Sequence, residues 1–271
     1  MIDRAGGDLA SALGVARGEV VALVGAGGKT TAGWRLRDEL AAAGHPAVFT
    51  TTTRIFKPAA GHAVLILDPE PGAADLRQAL TGVSPVVWAA GVGERGDPDR
   101  ARRSPYPAES LKLVGVAPDA VDRVSRGLRE VAWLVEADGA KGRLLKAPAS
   151  YEPVIPSTAG RVVVVAALDA IGRPLDEDTV HRPEIAARLL DAPGGARITP
   201  EMVAELVAHP NGGLKGVPAG AEPVVLLTRW DGPAAASAQT IARHLLRTDR
   251  VTRVVHADLR LADPVTSLWL R

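Results

Sequence analysis

Two kinds of apolar pattern alternate along the chain. Residues 19–24 (EVVALV) are a near-continuous apolar run and predict a buried strand. In residues 29–43, Ala32, Leu36, Leu40 and Ala43 recur near one face while Arg35, Arg37, Asp38 and Glu39 fall largely elsewhere, which predicts a helix that Gly44 ends. Further strands are predicted at 46–50, 63–67, 85–89, 131–136, 161–167, 223–228 and 251–255. Helices are predicted at 118–129, opened by Pro118 or Asp119, and at 183–190, 200–208 and 234–246. Thr199 and Pro200 form an N-cap and first-turn pair. Buried strands alternating with helices imply an α/β fold, a mostly parallel sheet with helices on both faces. In residues 91–110, Gly, Pro, Arg and Asp interrupt every period, so that stretch is expected to be an exposed loop or lid. One domain over 1–271 is expected, with about 140–220 an elaboration packed on it.

Composition narrows the function classes. The 271 residues are 46% apolar and 23% charged, ordinary for a globular chain with a full core. Lys plus Arg total 32 against 31 for Asp plus Glu, so the net charge of +1 gives no reason to expect a nucleic acid or an anionic membrane as partner. There is no cysteine, which excludes disulfides, thiol nucleophiles and thiolate capture of a soft metal or selenium by this chain. The longest apolar runs, such as 161–168, are strand-sized, and the first residues lack the apolar core of a signal peptide. A cytoplasmic protein is expected.

The chemistry is concentrated where strand 19–24 runs into Gly25-Ala26-Gly27-Gly28-Lys29-Thr30-Thr31 at the head of a helix. Glycines permit a tight turn whose amides point inward, and the helix N-terminus adds its positive end. Lys29 is placed to reach β- and γ-phosphates and the Thr30 hydroxyl to ligate Mg²⁺. The loop is two residues shorter than the usual Gly-x4-Gly-Lys-Ser/Thr form and resembles that of Mur-type ligases. A dinucleotide fingerprint would require Gly or Ala at position 30, which is Thr. The expected fold is therefore P-loop NTPase-like, and the expected cofactor is Mg²⁺ with ATP or GTP.

Other candidates stand at other predicted strand ends. Glu136 and Asp138 end strand 131–136 with the same side-chain parity. One is expected to hold Mg²⁺, directly or through water, and the other to orient a nucleophile. Thr50 to Thr53 and Arg54 follow the second strand and suit an oxyanion, with Arg54 able to neutralise developing charge. Thr228-Arg229-Trp230-Asp231 has the outline of the guanine-reading Asn-Lys-x-Asp motif with two positions changed, so Thr228 and Asp231 are placed at a base pocket without a guanine preference. Among Lys141, Arg143 and Lys146 at least one is a candidate to face an anion, and His181 is a candidate acid, base or ligand. The Gly-rich run 211–216 lacks a preceding strand and is read as a loop that closes over a substrate rather than a second phosphate loop.

These segments together resemble the YqeC family over nearly the whole chain. The resemblance is carried by 24–31 (VGAGGKTT), 50–56 (TTTTRIF), Lys112-x-x-Gly115, 134–148 (LVEADGAKGRLLKAP), 151–156 (YEPVIP), 180–184 (VHRPE) and 209–218 (HPNGGLKGVP). It implies a P-loop-type nucleotide-binding fold and an accessory role in maturing a selenium-dependent molybdenum hydroxylase, which would be the partner, or its cofactor. Two other readings fit the residues: a small-molecule kinase or ligase, and a nucleotide-gated scaffold that does not hydrolyse.

Overall fold

A computed structural model describes residues 2–4, 6–58, 64–81, 86–95, 111–228 and 234–271. Its centre is a ten-stranded sheet. The strands are β1 (Ile2–Arg4), β2 (Val20–Gly25), β3 (Ala47–Thr51), β5 (Val64–Leu67), β6 (Val86–Ala89), β9 (Ala132–Glu136), β11 (Arg161–Ala167), β13 (Glu222–Thr228), β14 (Arg253–Ala257) and β15 (Val265–Leu270), in the order β1-β15-β14-β13-β11-β2-β9-β3-β6-β5. From β14 to β5 every pairing is parallel; β15 is antiparallel to both its neighbours. The fold is thus the mostly parallel, doubly covered α/β sheet that the apolar pattern predicts.

Period-2 geometry divides the core in two. Val20, Ala22 and Val24 face one side with Trp133, Val135, Val162 and Val164; Val21 and Leu23 face the other with Phe49, Leu134, Val163 and Val165. The second side is covered by α1 (Leu9–Leu13) and α2 (Lys29–Ala42), through Leu9, Leu13, Ala32, Leu36 and Leu40. The first is covered by α3 (Ala73–Leu80), α4 (Pro118–Gly127), α5 (Pro183–Leu189), α6 (Pro200–Ala208) and α7 (Ala234–Leu245). The segment after β9 reaches this face through a two-stranded parallel ribbon, β10 (Leu145–Lys146) with β12 (Val180–His181), and then α5 and α6.

Two local expectations are corrected. Gly91–Arg95 is a strand, β7, not the start of a loop. It pairs antiparallel with β8 (Leu111–Val114), and β8 pairs with β4 (Arg54–Phe56), making a separate three-stranded sheet. Its backbone groups are satisfied by β8, a partner remote in sequence, so local turn residues do not decide its conformation. The remainder of the expected lid, 96–110, lies outside the described residues. Helix α4 is opened by neither Pro118 nor Asp119 as a cap. The N-cap is Ala117, which has no side-chain bond to give, and Pro118 stands in the first turn where its missing N–H costs nothing. Thr199 does cap α6, accepting from the Met202 amide.

Candidate functional site

The parallel strands place the ends of β2, β9, β11 and β13 along one edge of the sheet, which is where ligands bind in folds of this type. Gly25 closes β2 with φ of 92° beside Val165 of β11; a Cβ there would stand 2.3 Å from the Val165 carbonyl oxygen. Gly27, with φ of 83°, would put a Cβ 2.4 Å from Cβ of Ala167. Both positions therefore require glycine twice over, for conformation and for space. Ala26 is wholly buried, and its amide donates to Val165 O at 2.9 Å. Helix α2 starts at Lys29, so its first amides, which no intrahelical carbonyl can reach, open toward the loop.

Lys29 and the two acids of the β9 end meet here. Lys29 Nζ donates to Gly25 O at 2.6 Å, lies 3.1 Å from Asp138 Oδ1 and 4.0 Å from Glu136 Oε1, and is buried. The Thr30 hydroxyl donates to Glu136 Oε2 at 2.7 Å. The Gly25 amide donates to Asp138 Oδ2 at 3.0 Å, while Oδ1 accepts no hydrogen bond despite the ammonium beside it. Burial pushes the Glu136 carboxyl above its ordinary range, against the opposing pull of Lys29 and the Thr30 hydroxyl.

Beyond Asp138 the ion pairs continue. Lys146 Nζ lies 3.2 Å from Asp138 Oδ2 and 3.0 Å from Glu152 Oε2, and donates to Gly139 O at 2.6 Å. Burial pulls the Lys146 pKa down. Arg182 donates to Glu152 Oε2 at 2.6 Å and to the Tyr151 hydroxyl at 3.3 Å. Lys146 and the cations beside it hold the Glu152 carboxyl below its usual range although burial works the other way. His181 sits opposite Lys146 in the β10–β12 ribbon, and burial together with Arg182 and Lys146 pulls its pKa down to about 4, so the imidazole is neutral at pH 7.

The remaining candidates are distributed differently. Thr31 is exposed on the first turn of α2. The hydroxyls of Thr50, Thr51 and Thr52 donate to the carbonyls of Trp88, Glu136 and Val154, and Thr53 shares a bond with Thr51. The run therefore stitches β3 to β6, β9 and the segment after Asp138. Arg54 is exposed on β4, in the separate sheet, and touches neither Lys29 nor the acids. Thr228 is buried, and its hydroxyl donates to Gly27 O at 2.5 Å, pinning the glycine loop from β13. Asp231, with Arg229 and Trp230, lies outside the described residues. In the 211–216 run, Gly212 and Gly213 pack against the last carbonyls of α6, and Lys215 donates to the carbonyls of Ala149 and Ser150. Glu152 carries no motif of its own. It stands in an aperiodic loop, and only its place in the YEPVIP segment marks it.

The YqeC protein family profile matches residues 21–184. The chain belongs to the YqeC family. The YqeC span holds Lys29, Glu136, Asp138, Lys146, Glu152 and Arg182, which the ion pairs join, together with the rest of the Gly25–Thr31 loop and His181. A relative from Escherichia coli (strain K12), described as uncharacterized protein YqeC, is 30% identical over 224 residues, 83% of this chain and 81% of that one. A structure of chloroplast FtsY from Physcomitrella patens is similar with a TM-score of 0.40 at 18% identity; the match covers 89% of this chain and 60% of that structure's chain. Among the described residues no helix is long and apolar enough to cross a membrane, and no group of three or more His, Asp or Glu has the arrangement of a metal site.

Proposed function

We propose that this YqeC-family chain binds a nucleoside triphosphate, ATP or GTP, at Gly25 to Thr31, and uses phosphoryl chemistry there to mature a selenium-dependent molybdenum hydroxylase or its cofactor. The observation that carries the nucleotide reading is Lys29, buried at the head of α2 and held between the Gly25 carbonyl and Asp138. A buried ammonium so placed is poised for a phosphate, and the α2 amides and glycine turn supply donors around it.

The Thr30 hydroxyl and Glu136 carboxylate are hard oxygens already 2.7 Å apart, a set that fits Mg²⁺, which takes one or two protein ligands and fills the rest with phosphate and water. Mg²⁺ there would neutralise charge between the β- and γ-phosphates. Asp138 is less suited to the ion, because two lysines and the Gly25 amide already surround it; its role is to hold Lys29 and Lys146 in place. Thr228 fixes the loop through the Gly27 carbonyl. The client role rests on family resemblance alone. The kinase or ligase reading has one observation in its favour, the cations Lys141 and Arg182 beyond the phosphate loop.

Calorimetric titration of ATP, GTP and NAD(H), with and without Mg²⁺, tests the reading. Mg-ATP or Mg-GTP should bind, and Lys29→Ala should weaken binding by about 2–5 kcal/mol, the scale for removing one partner of a desolvated charge pair. Binding of NAD(H) alone, or equal affinity in the variant, would falsify it. Turnover stimulated by a client hydroxylase rather than by metabolites would separate the accessory role from the kinase.

A further inference from the structure

We propose that Lys141, His181 and Arg182 form a second-substrate site beside the phosphate loop, for an acceptor that carries a carboxylate or phosphate group. The inference rests on the nucleotide reading for its word acceptor, and on the charge chain for its location. That chain runs Glu136–Lys29–Asp138–Lys146–Glu152–Arg182, so Lys29 and Lys146 each lie between two acids while Arg182, at the far end, has only Glu152, which it shares with Lys146. The Arg182 end is where the chain can take up a further anion. Lys141 adds to it, since it makes no ion pair among the described residues.

The Arg182 end is built, not loose. Its guanidinium is fixed by Glu152 at 2.6 Å and by the Tyr151 hydroxyl at 3.3 Å, and it lies 5.8 Å over the Tyr151 ring. Tyr151 is 72% exposed, so this clamp opens to solvent. Lys215 ties the same loop from behind through the Ser150 carbonyl at 3.0 Å. Lys141 and Arg182 both hold left-handed backbone, φ of 50° and 67°, without being glycine. Glycine would relieve that strain, and strained non-glycine positions cluster at ligand clamps. Burial first, and then Arg182, Lys146 and Lys141, lower the proton affinity of His181, so the charges of these cations reach its ring.

The site adjoins the nucleotide. The Leu144 carbonyl would be 2.9 Å from a Cβ on Gly27 and accepts from the Ala167 amide at 3.1 Å, so the 139–146 loop lies directly against the phosphate loop. The Leu144 and Leu145 amides bind the Thr179 carbonyl, which brings His181 and Arg182 to that loop.

The test follows the His181 ring by NMR, its signals assigned with His181→Gln, while inorganic phosphate and, separately, malonate are titrated into full-length protein saturated with Mg-ADP. Saturable shifts are expected from at least one probe, and the stronger names the acid type. Lys141→Gly and Arg182→Gln should each weaken the response at least tenfold, with the melting temperature of Lys141→Gly not lowered. The shift should persist in Lys29→Ala without nucleotide, where the phosphate loop is disabled. Absence of a saturable shift, or equal affinity in both site variants, overturns the proposal. Calorimetry with Mg-ADP on the same samples keeps the two readings apart. Mg-ADP bound with no anion response removes only this site; an anion response in Lys29→Ala with no Mg-ADP binding to wild type removes only the nucleotide reading.

Discussion

Glu136, the proposed Mg²⁺ ligand, carries a cost that can be measured. Its carboxylate is buried beside the Thr30 hydroxyl and 4.0 Å from Lys29, and burial raises its pKa above the ordinary 4.5. The folded chain then holds this proton more tightly than the unfolded chain. Protons bound are more numerous in the folded state, so stability falls as pH rises from 4.5 through the folded value. Glu136→Gln keeps the shape and an oxygen for Thr30 but removes the titration. Its melting temperature relative to wild type should therefore climb with pH above 4.5, while turnover drops by about 10²–10³-fold, the scale for losing one preorganised charge at a reacting centre. Thermal melts of both proteins over a pH series check it; a difference that is flat or shrinks with pH would mean that the carboxylate is stabilised by its cations more than burial penalises it. Asp138, two residues on and of the same parity, is spent on Lys29, Lys146 and the Gly25 amide. The sequence places both acids at the end of β9, but it does not distinguish their surroundings, because these depend on Lys146 and Glu152 arriving from an aperiodic loop.

At the scale of elements, legibility follows the range of the forces. Strands β2, β9, β11 and β13 are buried on both faces, so their apolar runs are visible in any window, and helix α2 declares itself through Leu36 and Leu40. The phosphate loop is legible for the same local reason: a strand, a glycine turn and Lys29 are contiguous. What escapes are elements completed by distant partners. Strand β7 needs β8, the Lys146–His181 ribbon needs residues 35 apart, and the Thr50, Thr51 and Thr52 hydroxyls read as oxyanion donors until the carbonyls of Trp88, Glu136 and Val154 claim them. The glycines of the loop give this a quantitative form. Gly25 and Gly44 both have positive φ, 92° and 76°, but a Cβ on Gly25 would strike Val165 O at 2.3 Å whereas one on Gly44 meets nothing within 4 Å. Gly44→Ala should cost about 1–2 kcal/mol, for the left-handed backbone alone. Gly25→Ala adds about 1–3 kcal/mol of overpacking and should also abolish nucleotide binding. Denaturant unfolding of the pair measures the difference; equal losses would show that the β2–β11 contact gives way freely.

Across the whole molecule the site is assembled from residues 25–30, 136–152, 181–182 and 228, yet these converge because one sheet runs through both cores. Thr228 on β13 bonds Gly27, the Lys146 chain joins β9 to the β10–β12 ribbon, and Lys215 fastens the loop after α6 to residues 149–150. A ligand bound at the Gly25–Thr31 loop would therefore be coupled to both the central sheet and the segment from 140 to 220. If the two melt together, Mg-nucleotide at 100 times its dissociation constant stabilises the entire transition by about 2.7 kcal/mol, which for a chain of this size raises the melting temperature by about 5 °C. The expected calorimetric trace is one peak that moves as a unit, and Lys146→Met should lower that peak and split from it a separate melting of the 140–220 segment, since Asp138 and Glu152 lose their shared cation and the ribbon its tie to β9. Two peaks in the wild type, only one of which responds to nucleotide, would mean that the segment folds on its own and that the charge chain is a contact between neighbours rather than part of the molecule's cooperative core.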